Sequence, residues 1–203
     1  MTDRLEGGAA GRTRWRRFAA FTVPAAAVAG FIVFGMANGA IAASFAVSGQ
    51  QFKVAADRLE GDGFVQYGGV VRQKDGTTHP VAVSGIASAE LTNLCQSVKV
   101  PGMPIVLTIN AGGNGKAATA DNLMLDVTRL EGDATFTHIE IGRDASTLDK
   151  GKSTGPEGSF GQQADHVTIT DLRQVAWSTT AGTFTLNGLR MSVDVGAAAK
   201  ECF

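Results

Sequence analysis

The stretch Leu189-Arg-Met-Ser-Val-Asp-Val195 alternates strictly between apolar and polar side chains. Successive side chains of a strand point to opposite faces of its sheet, so this period of two predicts a half-buried β-strand. Similar runs of about five residues end near Gly, Asn, Asp or Pro and lie around 52–56, 105–109, 123–127 and 167–169. No amphipathic helical pattern of a dozen residues follows position 43. The sequence therefore predicts an all-β fold.

An internal repeat adds detail to this fold. Residues 53–64 and 124–135 share Arg-Leu-Glu-Gly-Asp and a strand-like pattern before it. The Gly-Asp pair is expected to form a turn, because glycine adopts positive φ without strain. Arg-Leu-Glu-Gly also occurs at 4–7, so the flanking pattern carries the argument. We predict a curled antiparallel or solenoid-like sheet of two related halves, residues 43–110 and 119–203.

The N-terminal segment has the features of an export signal. Five arginines and two acidic residues give 1–42 a charge of +3, which leaves −4 for 43–203 out of the total of −1. After the basic cluster around Trp15, the 20 residues 18–37 are mostly apolar. At about 1.5 Å per residue they measure about 30 Å, the thickness of a bilayer core. We predict one N-terminal hydrophobic helix.

Two outcomes of export stay open. Ala40-Ile-Ala42 has the small side chains that signal peptidase accepts, so cleavage between Ala42 and Ala43 would release the domain 43–203. Alternatively, the helix stays uncleaved as a signal anchor. Both outcomes place the arginines inside and a single exported β-rich domain outside the cytoplasm, either secreted or membrane-anchored. A buried core helix is the weaker explanation, because nothing else in the chain could cover so uniform a helix.

The two cysteines, Cys95 and Cys202, fit an oxidising compartment. A disulfide between them would close a loop of about 107 residues and stabilise the fold by about 4 kcal/mol in the chain-entropy model. It would also fasten the C-terminal tail to the first half. The alternative, a reactive thiol, needs a lowered pKa, and only Lys99 lies near Cys95 in sequence. We favour the disulfide.

Catalytic and metal-binding patterns are weak. Gly151-Lys-Ser-Thr-Gly155 matches the Gly-x-Ser-x-Gly motif of hydrolases, but it lacks the strand before and the helix after that build a nucleophile elbow. Ser153 is therefore interpreted as a loop serine within the polar segment 142–164, which we expect to be mobile. The three histidines lack metal-ligand spacing, and we predict no cofactor. The acidic body gives no reason to bind nucleic acid.

Six segments carry a resemblance to a known family: Ser44-Phe-Ala-Val-Ser-Gly-Gln-Gln-Phe52, Gly63-Phe-Val-Gln-Tyr-Gly-Gly69, Leu91-Thr-Asn-Leu-Cys-Gln-Ser97, Phe160-Gly-Gln-Gln-Ala-Asp165, Ala176-Trp-Ser-Thr-Thr-Ala-Gly-Thr-Phe184 and the Lys-Glu-Cys-Phe ending. Together they resemble an exported protein family of filamentous actinobacteria with no established function. The resemblance implies an envelope protein. Automatic labels sometimes name members of this family cholesterol esterases. The resemblance, however, brings no catalytic motif to this sequence. Such families are often encoded beside a small multi-spanning membrane protein, which implies a membrane partner.

Residues 54–63, followed by Gly68-Gly-Val-Val-Arg72, are also similar to strands of periplasmic lipid-bridge proteins, which curl around an apolar groove. Three functional hypotheses follow. The first is a non-enzymatic envelope protein that binds an apolar ligand, such as a lipid, or a membrane-protein partner. The second is a secreted lipid esterase, and the third is a structural component of surface assembly. A groove open to solvent would favour lipid, whereas a filled interior would favour a structural role.

Overall fold

A computed structural model describes residues 49–203, which belong to one compact unit and are nearly all β. The nine strands of this part of the chain are β1 (Phe52–Arg72), β2 (Thr78–Thr92), β3 (Leu94–Lys99), β4 (Ile105–Ala111), β5 (Ala118–Thr137), β6 (Glu140–Asp144), β7 (Phe160–Thr180), β8 (Thr183–Thr185) and β9 (Arg190–Val195). Short 3₁₀ helices follow β6 and β9 at Ala145–Thr147 and Gly196–Ala198. Every strand pairing is antiparallel, so the all-β antiparallel prediction is confirmed.

Four strands close into a ring. β1 pairs with β2 and with β7, and β5 pairs with the same two strands. Asp62, for example, lies opposite Ser88 of β2 and opposite His166 of β7. The predicted solenoid-like arrangement of two halves is therefore wrong. Strands from 43–110 pair with strands from 119–203, so the halves interlock instead of stacking.

The long strands of the ring bend without ending. We expected strands of about five residues, but β1 and β7 have 21 residues each and β5 has 20. Each contains a residue in the left-handed region: Gly63 at φ 68°, Asn122 at φ 50° and Asp171 at φ 51°. Glycine, Asn and Asp tolerate this conformation best, so the strand can curl while its ladder continues on both sides. At Gly63 a Cβ would lie 2.6 Å from the carbonyl oxygen of Lys150.

The repeated Arg-Leu-Glu-Gly-Asp does not form a turn in β1. Gly61 and Asp62 continue the β1 ladder, so the turn prediction is wrong there. In β5 the equivalent Gly132 has φ 148° beside a register shift, which is a bulge and not a chain reversal. The two copies also differ in burial, since the side chain of Leu59 is 2% exposed and that of Leu130 is 40% exposed. β1 has neighbours on both edges at this point, whereas this part of β5 pairs with β7 alone.

One apolar core fills the ring. The predicted runs 52–56, 123–127 and 167–169 bury their alternate apolar side chains in it, as expected. Phe64 of β1 also packs on Phe136 of β5, with ring centroids 5.3 Å apart. A second, smaller cluster of Val65, Ala145 and Leu148 lies beneath the segment after β6.

The sheet has two ends beyond the ring. At one end β3, β4 and β9 follow β1 in that order, and we call these three strands the arm. At the other end β6 pairs with β7. Within residues 49–203 no helix is long and apolar enough to cross a membrane. The predicted N-terminal helix and the cleavage site between Ala42 and Ala43 lie outside the described residues.

Candidate functional surface

The C-terminal tail packs against β3 on the outer face of the arm. Cys202 is bonded to Cys95 of β3, which is the disulfide expected from the sequence. The N–H of Cys202 donates to Oγ of Ser97, and the N–H of Gly196 donates to the carbonyl oxygen of Pro104. Val106 of β4 shares this face and is buried. The tail thus fastens strands that are remote in sequence to each other.

Charged side chains complete this closure. Nζ of Lys53 lies 3.1 Å from Oε2 of Glu201 and donates to the main-chain oxygen of Phe203 at 2.8 Å. The ring of Phe203 lies within cation–π distance of Lys53 and Arg173, 5.2 Å and 5.9 Å from its centroid. β1 and β7 supply the two cations, so the end of the chain contacts the ring as well as the arm.

On the inner face of the arm, the apolar side of β9 remains open. Along β9, Met191 is 48% exposed and Val193 and Val195 are each 63% exposed. They lie directly opposite Ile109, Leu107 and Ile105 of β4. The prediction of a half-buried strand at 189–195 is therefore wrong for its apolar side, because no described element covers it. Alternation showed which side chains share a face, but it could not show whether that face is covered.

The interior of the ring holds little free volume. The cavity among its core side chains measures about 20 Å³. It is lined by Val54, Leu59, Leu91, Leu94, Gln96, Leu123, Leu125, Gln174, Thr179 and Phe184. Such a volume suits one water molecule, whereas sites for small organic ligands need roughly 300–1,000 Å³. The groove of the lipid-bridge similarity is not formed among these residues.

Ser153 has no base beside it. Its Oγ is buried and finds no hydrogen-bond partner within residues 49–203. It lies in the segment between Ala145–Thr147 and β7, against Gly85, so neither a strand before it nor a helix after it forms a nucleophile elbow. An activated serine needs a base within hydrogen-bond distance. The interpretation of Ser153 as a loop serine agrees with this geometry.

A cleft of about 380 Å³ contains an acid–histidine–hydroxyl set of polar contacts, the order of side chains found in a catalytic triad. Nδ1 of His166 lies 2.7 Å from Oδ1 of Asp62, and its Nε2 lies 3.3 Å from Oγ1 of Thr168. Four acidic residues line the cleft: Glu60, Asp62, Glu90 and Asp121. Their negative potential would oppose the oxyanion of an acyl-transfer intermediate. No group of three or more His, Cys, Asp or Glu in the described residues is arranged to hold a metal ion.

The segment 145–159, expected to be mobile, is held by a fully buried glutamine. Oε1 of Gln163 accepts from the N–H groups of Asp149 and Lys150 at 2.8 Å and 3.2 Å. Its Nε2 donates to Oδ1 of Asp149 and to Oε2 of Glu140. β6 and β7 also include the two ends of the predicted polar loop 142–164, at 142–144 and 160–164. These contacts hold the segment against β6 and β7.

Ion pairs surround this glutamine. Nζ of Lys150 lies 2.9 Å from Oδ1 of Asp165, and this hydrogen bond raises the pKa of Lys150. The same bond, followed by one from His138, lowers the pKa of Asp165. A hydrogen bond from Arg143 is the main cause that lowers the pKa of Glu140. The network fixes the loop but leaves no unpaired catalytic acid or base within it.

The fold and these surfaces define a class: a small antiparallel β-domain with a filled core, fastened by one disulfide. The chain belongs to a family of unknown function, DUF6230, which it matches over residues 48–203. A search of the curated proteins and one of the solved structures found no match. The matched range includes every described strand and both cysteines.

Proposed function

We propose that this protein is a non-enzymatic structural component of the extracytoplasmic cell envelope that acts by contact with other protein chains. Export is supported by the basic and apolar segment of 1–42 and by the disulfide, since disulfides persist in oxidising compartments. The single observation that carries the structural role is the distribution of apolar surface. The interior of the ring is filled, while Val193 and Val195 are 63% exposed on the arm.

A contact surface explains this distribution better than a ligand container. Contiguous exposed apolar side chains beside an unpaired sheet edge are typical of protein–protein contacts. The cavity among the core side chains of the ring, about 20 Å³, is too small for an apolar ligand. The esterase alternative has no serine–base pair among the described residues to support it.

Two measurements on the native protein test location and ligand. A membrane-impermeant amine reagent applied to intact cells should label the exposed Lys74 and Lys152. Protein purified without detergent, so that any bound lipid is retained, should carry no stoichiometric lipid when it is measured by mass spectrometry. Unlabelled lysines in intact cells would contradict export, and one bound lipid per chain would replace the structural role by lipid binding. N-terminal sequencing of the same sample distinguishes cleavage after Ala42 from an uncleaved anchor.

A matched pair of valines tests the contact role. A photoreactive amino acid at Val193 of the full chain should form crosslinks to protein in intact cells, because this position lies on the open arm face. The same amino acid at Val70, which is 69% exposed on the ring, provides the control. If position 193 forms crosslinks to protein no more often than position 70 does, the contact role is wrong.

A further inference from the structure

The outer edge of β9 is unpaired among the described residues. β9 is the last strand in the order of the sheet, and its six residues contain no Gly, no Pro and no bulge. Five of them are exposed. A straight edge strand with free N–H and C=O groups can accept another strand, and natural proteins usually protect such edges with charges, bulges or prolines. The edge of β9 lacks these protections on its apolar side.

The sequence of β9 is complementary to itself in one antiparallel register. Residues directly opposite each other in an antiparallel pair lie on the same face of the sheet. If Ser192 of one copy lies opposite Ser192 of a second copy, Arg190 lies opposite Asp194 on the polar face. On the apolar face Met191 then lies opposite Val193. A two-fold axis at Ser192 produces both contacts twice.

The charged pair selects this register over its neighbours. Moving the axis by one residue to Val193 places Ser192 opposite Asp194 and leaves Arg190 opposite Gly196, so the ion pairs are lost. Moving it to Met191 places Arg190 opposite Ser192, with the same loss. Opposite charges directly across a strand pair stabilise it, and like charges destabilise it. Only the Ser192-centred register satisfies both faces of the strand.

We propose that two copies of this chain pair antiparallel through β9 with Ser192 on the two-fold axis, which joins two arms into one continuous sheet. This inference rests on the proposed contact role and names its partner as a second copy. It would double the apolar face that Met191, Val193 and Val195 present, because both copies contribute this face to the same side. A pair of six-residue strands buries a small area, which predicts a dissociation constant on the order of micromolar or weaker.

Charge reversal in the full chain tests the register by analytical ultracentrifugation. Arg190→Asp alone places two aspartates opposite each other, and Asp194→Arg alone places two arginines opposite each other. Each single variant should weaken self-association by about tenfold or more. A mixture of the two variants should restore it, because a β9 with aspartate at both positions then pairs with a β9 that has arginine at both. Ile141→Lys, at the far end of the sheet, is the control and should leave association unchanged.

Cysteine crosslinking checks the axis independently of affinity. Ser192→Cys should form a disulfide between copies under mild oxidation, because opposed Cα atoms of antiparallel strands are about 4.5–5.5 Å apart and disulfides span about 4.4–6.8 Å. Val70→Cys, equally exposed but far from β9 in the sheet order, should not. Unchanged circular dichroism confirms that each variant folds.

The outcomes separate this inference from the proposed function. A monomer at every concentration, or a dimer that both charge reversals leave intact, overturns pairing through β9. If the purified chain is monomeric while position 193 still forms crosslinks to another protein in cells, the pairing is wrong and the contact role stands. If crosslinks fail in cells and the purified chain dimerises as predicted, the pairing stands as a property of the fold and the envelope role is wrong.

Discussion

The two ends of the sheet are fastened by different chemistry. At the β9 end, a disulfide fastens the tail 196–203 to β3, and the apolar side of β9 is left open. At the β6 end, no covalent bond is used among the described residues. Gln163 and a set of ion pairs around Lys150 hold the segment 145–159 against the ring.

The two edge strands of the sheet, β6 and β9, also differ in how they are protected against pairing. β6 has five residues, carries Glu140, Arg143 and Asp144, and contains a register shift beside Gly142 at φ 85°. Bulges and charges are the devices by which proteins prevent edge strands from pairing. β9 has neither a bulge nor a charge on its apolar face. The β6 edge is therefore protected against pairing, whereas the β9 edge is able to accept a strand.

Removing the disulfide should have the largest effect on the free energy of unfolding. Without it, the β9 end is held by non-covalent contacts alone, as the β6 end is. The double variant Cys95→Ser and Cys202→Ser should lower the free energy of unfolding by about 2–4 kcal/mol, since the unfolded chain regains the entropy of an open loop of 107 residues. Urea denaturation measures it. Proteolysis should also release the tail 196–203 from the double variant before it cuts 145–159.

Chemical reduction provides the matching control for this variant. The wild-type chain with a reducing agent should unfold at the urea concentration of the double variant, and the agent should not change the double variant further. An unchanged midpoint in both samples would mean that hydrogen bonds at Ser97 and the contacts of Phe203 suffice to hold the tail.

Gln163→Ala should give the next largest effect, at the β6 end. Truncation leaves the N–H groups of Asp149 and Lys150 without their acceptor, and each buried unsatisfied group costs about 1–3 kcal/mol. The free energy of unfolding should fall by an amount in this range, and 145–159 should become the first site of proteolysis. Urea denaturation and mapping of the first cleavage sites measure both.

The neighbouring glutamine is a matched control. Gln162 is partly exposed and makes one side-chain hydrogen bond, from its Nε2 to Oε1 of Gln66. Gln162→Ala should therefore cost less than about 1 kcal/mol and leave the proteolysis of 145–159 unchanged. Equal losses in the two variants would show that Gln163 does not order the segment through its hydrogen bonds.

The sequence predicted the β-strand content and the buried runs, but it did not predict that four strands close into a ring. Alternation located the β-character and the buried runs around Val54, Leu125 and Val167, because the period of two follows directly from strand geometry. The alternation pattern divided the long strands into short ones. An Asn or Asp in the left-handed conformation, such as Asn122 or Asp171, looks like a turn in the sequence, although the strand pairing continues on both sides of it. The ring depends on pairings between residues about 100 positions apart, and local patterns carry no information about them.

The candidate surface was only partly predictable for the same reason. The pairing of Cys95 with Cys202 followed from there being two cysteines in a chain that the sequence predicts to be exported. The open face of β9 did not follow, because burial depends on what lies above a strand. Gln163 was missed as well. A glutamine in a polar, glycine-rich stretch gives no sign that its side chain is fully buried.

Acid should weaken the β6 end more than the β9 end, which a disulfide also holds, and the effect should be the smallest because the carboxyl groups involved are exposed. Hydrogen bonds lower the pKa values of Asp165, Glu140 and Asp144 below their ordinary values of 3.8, 4.5 and 3.8. A lowered pKa in the folded state gives a stabilisation that is complete above the ordinary value and is lost as the pH falls through the lowered one. The loss is therefore confined to pH below about 4.5.

Amide NMR during an acid titration measures this difference. The N–H signals of Asp149 and Lys150 should shift and broaden as the pH falls below about 4, whereas that of Cys202 should change less, because a disulfide does not titrate. In Asp165→Asn the side chain is neutral at every pH, so the part of the transition that depends on its bond to Lys150 should be absent. Simultaneous changes at both ends would mean that acid unfolds the ring as a whole, and that the two ends do not respond separately.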